Sequence, residues 1–165
     1  MKEEFAELIA QHQDIIHKVC RLYCHNREDK QDLFQDIVYQ LWKSYPTFKG
    51  ESKFTTWMYR VALNTAITDY RKFKKRGKSS EFTDNLYQLA NQNDNEIFNE
   101  RVEMLYAAIN RLSDIEKALV MLLLEDNSYQ DIAHIMGITL TNVGVKINRV
   151  KKKLKDILTK QALWN

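Results

Sequence analysis

Apolar residues recur at intervals of three and four along most of the chain, which is the spacing of one face of an α-helix. In the first half this pattern predicts helices at residues 1–23, 32–42 and 54–73. The polar residues 26–30 interrupt the pattern after the first helix. Pro46 ends the second helix because proline cannot donate the next backbone hydrogen bond, so residues 45–52 are expected to form a loop. Ser52 or Thr55 is expected to cap the third helix.

The second half of the chain continues the helical pattern. Ser113 and Glu116 form a capping-box sequence that opens a helix running to about Leu124. Gly137 ends a short helix that begins near Ser128, and residues 138–141 are interpreted as the turn that follows. The helices on either side carry apolar stripes, made of Ile97, Val102, Leu105, Ile109 and Leu112 in the first and of Val143, Ile147, Val150, Leu154, Ile157 and Leu158 in the last.

A stretch of different composition separates the two halves. Residues 81–99 contain four acidic side chains, several asparagines and no Lys or Arg. With four glycines and one proline in 165 residues, the chain has too few turn residues for a sandwich or barrel of many short strands. The sequence therefore predicts an all-α protein of two small helical domains, residues 1–75 and 96–165, joined by a flexible linker at residues 76–95.

The net charge of +3 conceals a strong segregation of charge along the chain. Residues 139–165 carry a net charge of +6 and residues 69–78 carry +5, whereas residues 1–36 carry −3. A basic helix at the end of a helix-turn-helix pattern suits a DNA backbone, because each contact between Lys or Arg and phosphate releases condensed counterions. The charge pattern therefore favours a nucleic-acid partner for the second domain.

Several other classes of protein do not fit the sequence. The longest wholly apolar run, residues 118–124, is far shorter than the roughly 20 residues of a membrane helix, and the acidic N-terminus has no signal-peptide pattern, so a cytoplasmic protein is expected. His17, Cys20 and Cys24 share one helical face, but a tetrahedral zinc site usually draws its ligands from separate elements. We therefore expect no metal and no cofactor. The sequence has no phosphate-binding loop and no nucleophile motif, so neither an enzyme nor a small-molecule substrate is expected.

Three stretches of the sequence resemble those of bacterial sigma factors. Residues 32–42 resemble their D-L-x-Q-[DE]-x-[FV]-x-x-[LA]-[WY] motif, and residues 54–65 are similar to F-x-x-W-L-x-R-I-A-x-N. Residues 112–117 and 128–133, with the final helix, resemble the C-terminal helix-turn-helix of the same family. The two-domain form resembles the extracytoplasmic-function (ECF) subfamily. Membership implies region 2 in the first domain and region 4 in the second.

The resemblance also implies a function. Such a subunit binds core RNA polymerase, directs it to promoter DNA by reading the −35 element and melting the −10 element, is monomeric when free, and is controlled by an anti-sigma factor. The competing interpretation is a free-standing helix-turn-helix regulator that dimerises and binds duplex operators unaided. The motifs at residues 32–42 and 54–65 favour the sigma factor.

The resemblance assigns residues of the first domain to two surfaces. The contact with core polymerase falls on Asp32, Leu33, Gln35, Asp36, Val38, Leu41 and Trp42. We expect the helix that carries them to be divided between an inner, core-forming face and an outer face. A pocket for a base flipped out of the −10 element falls on Phe48, Val61 and Asn64, with Ser44 nearby and Lys49 in the loop that closes over it. Phosphate contacts fall on Arg60, Arg71 and Lys72, and Trp57 is expected in the core.

In the last helix, four residues form the predicted −35 reading face. Asn142, Lys146, Arg149 and Lys153 lie on one side of the helix, opposite its apolar stripe. Arg and Lys can read guanine in the major groove, and Asn can read adenine. Many relatives have Arg or Lys where this chain has Gly144, so the −35 preference of a relative does not transfer to this protein.

Overall fold

The computed structural model describes residues 1–76 and 96–164 of the chain. In these residues it contains the α-helices α1 Lys2–Tyr23, α2 Arg27–Ser44, α3 Phe54–Lys75, α4 Glu96–Asn110, α5 Asp114–Leu124, α6 Tyr129–Met136 and α7 Leu140–Trp164. The predicted all-α fold is confirmed. The chain divides into two compact units, one built on α1–α3 and the other on α4, α5 and α7. Most of the predicted linker lies outside the described residues.

The first unit is a bundle in which α1, α2 and α3 all pack against one another. Each helix contributes one apolar stripe to the core, and the side chains that are fully enclosed are Ile16, Val19, Ile37, Leu41, Met58, Ala62 and Ala66. Burial of these stripes, rather than helix propensity alone, stabilises such short helices. The bundle therefore fixes which sides of α2 and α3 face outwards.

Two helix ends in this unit differ from the prediction. α2 begins at Arg27, earlier than the apolar pattern indicates, because the side chain of Asn26 accepts a hydrogen bond from the backbone N–H of Asp29 at 2.7 Å. The polar residues at its start thus form a first helical turn, whose acidic members suit the positive end of the helix dipole. The predicted cap of α3 is wrong, since the N-cap position is Lys53 and it makes no side-chain cap hydrogen bond.

Pro46 does terminate α2, but residues 45–52 are not all loop. A short 3₁₀ turn, Tyr45–Thr47, follows the helix directly, with the proline at its start. Proline is tolerated there because its missing N–H has no partner in the first turn of a helix. This turn leads the chain towards Phe48 and the start of α3.

In the second unit, α4 and α5 pack against α7. The predicted capping box is present, with the Ser113 hydroxyl accepting from the Glu116 N–H at 3.2 Å and the Glu116 carboxylate accepting from the Ser113 N–H at 2.8 Å. Val143, Ile147 and Val150 of the predicted α7 stripe are buried, whereas Leu154, Ile157 and Leu158 are only half-buried. The opposite face of α7 therefore points away from the core of this unit.

The connection between α6 and α7 is shorter than predicted. Gly137 ends α6 with a φ of 66°, a left-handed conformation that glycine adopts without steric cost. α7 begins at Leu140, and the hydroxyl of Thr139 accepts a hydrogen bond from the backbone N–H of Asn142 at 3.2 Å. The tight glycine turn and this cap produce the helix-turn-helix connection.

Gly144 lies within the first turns of α7 and has an ordinary helical conformation. A Cβ atom added there would have no neighbouring atom within 4 Å. Packing therefore does not require glycine, which weakens the helix by about 1 kcal/mol relative to alanine.

Candidate functional surfaces

The residues assigned to the polymerase contact lie on two different sides of α2. Leu33 and Leu41 are only 4% and 0% exposed, because they form the inner stripe of the helix with Ile37. These two side chains are enclosed by the first unit, so they are not available to a partner on the surface of the free protein. The remaining residues of the set are available on the surface, with Asp32, Gln35 and Asp36 exposed and Val38 and Trp42 half-buried. The burial confirms the expected division of α2 into two faces.

A second apolar stripe runs along the outer side of α2. It lines a groove with a volume of about 510 Å³, formed by Lys2, Phe5, Phe34, Gln35, Val38, Tyr39 and Trp42. The ring of Trp42 packs edge-on against Phe5, with centroids 5.0 Å apart, and Phe34 stacks on His17 at 4.7 Å. Tyr39 is 60% exposed. This α2 groove is an apolar surface of the kind that marks interaction sites.

The contributions of Phe5, Phe34 and Tyr39 to the α2 groove were missed by the sequence assignment. The spacing of the apolar residues indicates this second stripe. Residues 34, 38 and 42 have the same four-residue spacing as residues 33, 37 and 41, shifted by one position. A helix with two adjacent apolar stripes has more apolar surface than a small bundle buries. One apolar stripe therefore remains at the surface of the first unit.

Asp36 lies beside Asp69 of α3, where the two carboxyl groups can share a hydrogen bond when one of them is protonated. Partial burial, this hydrogen bond and the charge of Asp36 raise the pKa of Asp69, while nearby Lys72 opposes the shift. A negative charge on Asp69 therefore disfavours the folded state, because it must be held next to a second carboxylate.

Replacing Asp69 by asparagine should raise the melting temperature at neutral pH. At pH values between the ordinary pKa of an aspartate and the raised pKa of Asp69, the folded protein binds more protons than the unfolded chain does. The stability of the folded protein therefore falls as the pH rises through this range. Asparagine donates a hydrogen bond to Asp36 at every pH and removes this loss. The advantage of Asp69→Asn should disappear in acid. Thermal melts across this pH range test it, with a change at the exposed Glu7 of α1, Glu7→Gln, as control. A melting temperature no higher than that of the wild type at neutral pH would contradict it.

One residue assigned to the base pocket, Phe48, belongs to an aromatic cluster at the start of α3. The ring of Phe48 lies 5.0 Å from Trp57 and 5.9 Å from Phe54. Trp57 is half-buried rather than in the core, and its ring packs against Tyr45, Phe48 and Phe54. Val61, one turn further along α3, is half-buried, and Asn64 is exposed. The cluster offers apolar faces near an exposed amide.

The other residues predicted near this pocket have different environments. The hydroxyl of Ser44 donates to the carbonyl oxygen of Gln40 at 2.7 Å, so it closes the end of α2. Lys49, Arg60, Arg71 and Lys72 are all exposed. Lys74 lies over the ring of Tyr70, with its ammonium 4.8 Å from the centroid. The end of α3 thus presents a basic surface.

The predicted −35 face of α7 is outward-facing. Asn142, Arg149 and Lys153 are exposed and Lys146 is half-buried. Lys153 also forms an ion pair with Glu116 of α5, at 2.9 Å between Nζ and Oε2. No pattern in the sequence indicates this contact, which joins residues 37 positions apart.

The two cysteines do not form a metal site in the described residues. Cys20 and Cys24 are both free, and burial raises the pKa of each thiol to about 12. A thiol that stays protonated is a poor metal ligand and a poor nucleophile. Across residues 1–76 and 96–164, no cluster of three or more His, Cys, Asp or Glu side chains is arranged to hold a metal. No helix in the same ranges is long and apolar enough to cross a membrane.

Both halves of the chain match known protein families. Residues 8–76 match Sigma-70 region 2, and residues 102–154 match Sigma-70 region 4. The chain belongs to the sigma-70 family of RNA polymerase subunits, which direct the polymerase to promoters. Within it, the protein is an ECF sigma factor. The sigma-factor family is not a family of catalytic enzymes.

Similar proteins of known identity come from several bacteria. The chain is 29% identical to the ECF RNA polymerase sigma-E factor of Haemophilus influenzae, over 94% of this chain and 87% of the relative. It is 28% identical to the RNA polymerase sigma factor YlaC of Bacillus subtilis, over 82% and 81% of the two chains. It is 25% identical to the RNA polymerase sigma-H factor of Pseudomonas aeruginosa, over 95% and 87%.

Solved structures show the same fold. The sigma factor RpoE of Bartonella quintana, in complex with the anti-sigma factor NepR, matches with a TM-score of 0.73 and 17% identity, over 95% of this chain and 98% of that one. CnrH in complex with the cytosolic domain of CnrY matches with a TM-score of 0.70 and 20% identity, over 97% and 90%.

Proposed function

We propose that this sigma factor binds core RNA polymerase through the outer face of α2 and contacts promoter DNA through α3 and α7. The observation that carries this proposal is the α2 groove, an apolar surface on the very motif that resembles the family's polymerase contact. Exposed aromatic and aliphatic side chains at a surface groove are typical anchors for a protein partner.

Charge supports the same role for α2. Asp32 and Asp36 are exposed on the helix that lines the groove. Carboxylates beside an apolar contact favour a basic partner, because complementary charges guide association and fix its register. Leu33 and Leu41 act from the core by holding α2 in place.

For the −10 element, we propose that α3 and the preceding loop hold an unpaired base. Phe48, Val61 and the neighbouring aromatic cluster supply apolar faces for stacking, and Asn64 supplies an amide for hydrogen bonds to the base edge. Lys49, Arg60, Arg71 and Lys72 contact phosphates, which position the strand without reading its sequence. Ser44 acts as the C-terminal support of α2 in this arrangement.

For the −35 element, we propose that the first turns of α7 enter the major groove. Asn142, Lys146 and Arg149 project from one side of the helix, and their side chains can reach both base edges and phosphates. Gly144 provides no side chain on this helix, so the contact surface is smaller than in relatives with Arg or Lys there.

The remaining features of the proposal concern the organisation of the protein. Residues 1–75 and 96–165 are the two functional domains, and residues 76–95 link them. The protein acts in the cytoplasm, without catalysis of its own and without a cofactor, and is monomeric when free. The RpoE structure is a complex with the anti-sigma factor NepR, and we propose that a protein of this kind also controls this chain.

Binding of fluorescently labelled protein to core RNA polymerase, followed by anisotropy, tests this function. We expect tight binding that an unlabelled housekeeping sigma factor displaces, and weak binding to random duplex DNA by the free protein. Dimerisation and tight duplex binding without polymerase would instead favour the free-standing regulator.

A further inference from the structure

One residue of the predicted −35 face, Lys153, already forms an ion pair within the protein. The ammonium group of Lys153 lies 2.9 Å from Oε2 and 3.3 Å from Oε1 of Glu116, so it donates to both carboxylate oxygens. Glu116 belongs to α5 and Lys153 to α7, and both lie in the second unit. The contact therefore connects the outer face of α7 to α5.

The carboxylate that holds Lys153 is itself fixed in place. Its Oε2 accepts a hydrogen bond from the backbone N–H of Ser113 at 2.8 Å, as part of the capping box at the start of α5. The N-terminus of a helix favours a negative charge at this position. Partial burial opposes ionisation, but the hydrogen bonds from Ser113 and Lys153 outweigh it and lower the pKa of Glu116. The carboxylate is therefore charged at neutral pH, and the pair is charge-assisted.

The position of Lys153 along α7 decides what it would otherwise contact. It lies 11 residues after Asn142, which corresponds to about 16 Å along a helix axis. The major groove is about 12 Å wide. A helix that presents Asn142 to base edges therefore carries Lys153 beyond the bases, at the level of the phosphate backbone.

We propose that Glu116 withholds Lys153 from promoter phosphates and thereby limits the affinity of the second unit for DNA. This inference rests on the proposed role of α7 at the −35 element. Lys153 is then a positioning residue that fastens α7 to α5, and Asn142, Lys146 and Arg149 make the DNA contacts. Glu116 therefore has two roles: it completes the capping box at the start of α5, and it holds Lys153.

The variant Glu116→Gln separates these two roles of Glu116. Glutamine at the third position of a helix still completes a capping box, but it has no charge to hold the lysine. The measurement is the dependence of binding on salt, for holoenzyme assembled from the full chain and core polymerase, on a short duplex that the wild-type holoenzyme selects from random-sequence DNA. Each phosphate contact contributes about 0.9 to the slope of log affinity against log salt concentration.

We expect Glu116→Gln to steepen the slope by about 0.9 and to tighten binding severalfold, because Lys153 is released to a phosphate. Lys153→Gln alone should leave the slope unchanged, and the double variant should lose the gain of Glu116→Gln. A purely structural role for the pair would not move the slope in this pattern. A slope that falls by about 0.9 in Lys153→Gln would overturn the proposal, as would no change of slope in Glu116→Gln.

Two further variants separate this proposal from the assignment of the −35 face. Lys160→Gln removes one positive charge from the exposed far end of α7. The change of slope in this variant measures how far net charge alone affects DNA binding. Arg149→Gln should reduce the slope by about 0.9. An unchanged slope in Arg149→Gln would show that this face of α7 is not on the DNA, which is a failure of the proposed function and not of the Glu116 restraint alone.

Discussion

Val38→Glu is expected to weaken the binding of this sigma factor to core RNA polymerase by more than tenfold and to leave its first unit folded. Val38 lines the α2 groove and is half-buried, so a glutamate there can keep its charge in water when the protein is free. In the complex, this charge would be buried in the apolar groove itself, away from Asp32 and Asp36, which do not line the groove and are the positions proposed to face basic groups of the partner. Loss of a central contact of this kind typically costs about 2 kcal/mol or more, which is roughly 30-fold in affinity.

Two control variants show whether the effect comes from the surface itself. Thr68→Glu adds the same charge at an exposed position of α3, and it should leave polymerase binding near the wild-type value. Leu41→Ala removes an apolar side chain from the core, where its loss should cost about 2–5 kcal/mol of folding free energy. It should lower the melting temperature, while Val38→Glu should not. Equal binding by Val38→Glu and wild type would remove the α2 groove from the polymerase contact.

The difference between Val38 and Leu41 shows what a linear motif can and cannot specify. The motif at residues 32–42 correctly identified the helix, but a resemblance carries over residue by residue without stating which side each side chain occupies. The two sides of α2 are distinguished by what packs on them: α1 and α3 enclose Leu33 and Leu41, and nothing in the first unit covers Val38 to the same degree. Burial depends on partners distant in sequence, so the pattern of one helix predicts a buried face but not its limits.

Local chemistry was predicted more accurately than long-range contacts. The capping box at Ser113 and the glycine end of α6 depend on residues within one or two turns, and both are found where the sequence indicates. The start of α2 was placed too late because a polar first turn has no apolar periodicity, although Asn26 followed by Asp29 is itself a capping signal.

The ion pair between Lys153 and Glu116 is a long-range contact that the sequence does not predict. Charge counting along α7 treats each lysine as available for DNA, because the sequence cannot show which acidic residue will fold against it. Under the proposal that Glu116 withholds Lys153, three residues of this face contact DNA rather than four. Similarly, the closeness of Asp36 and Asp69 depends on how α2 and α3 pack, and no pattern within either helix announces it.

Melting of the −10 element should depend on the exposed amide of Asn64 more than on any other polar group of the proposed base pocket. A hydrogen-bonded base contact contributes about 1–3 kcal/mol, so Asn64→Ala should reduce formation of the open promoter complex roughly tenfold or more. Polymerase binding should not change, because Asn64 lies on α3 and outside the α2 groove. The two quantities can be measured in parallel, the first by permanganate reactivity of unpaired thymines in holoenzyme complexes and the second by anisotropy.

The physical reason for this separation is that a flipped base must be held against its tendency to return to the stack. Apolar faces such as Phe48 stabilise any base, whereas an amide distinguishes one base edge from another. Asn64→Ala should therefore reduce melting most strongly at the preferred −10 sequence and least at altered sequences. Gln13→Ala removes an exposed amide from α1 of the same unit and should affect neither measurement. If Asn64→Ala instead lowered melting and polymerase binding equally, Asn64 would have to act through the fold of the unit, and the base pocket would lie elsewhere.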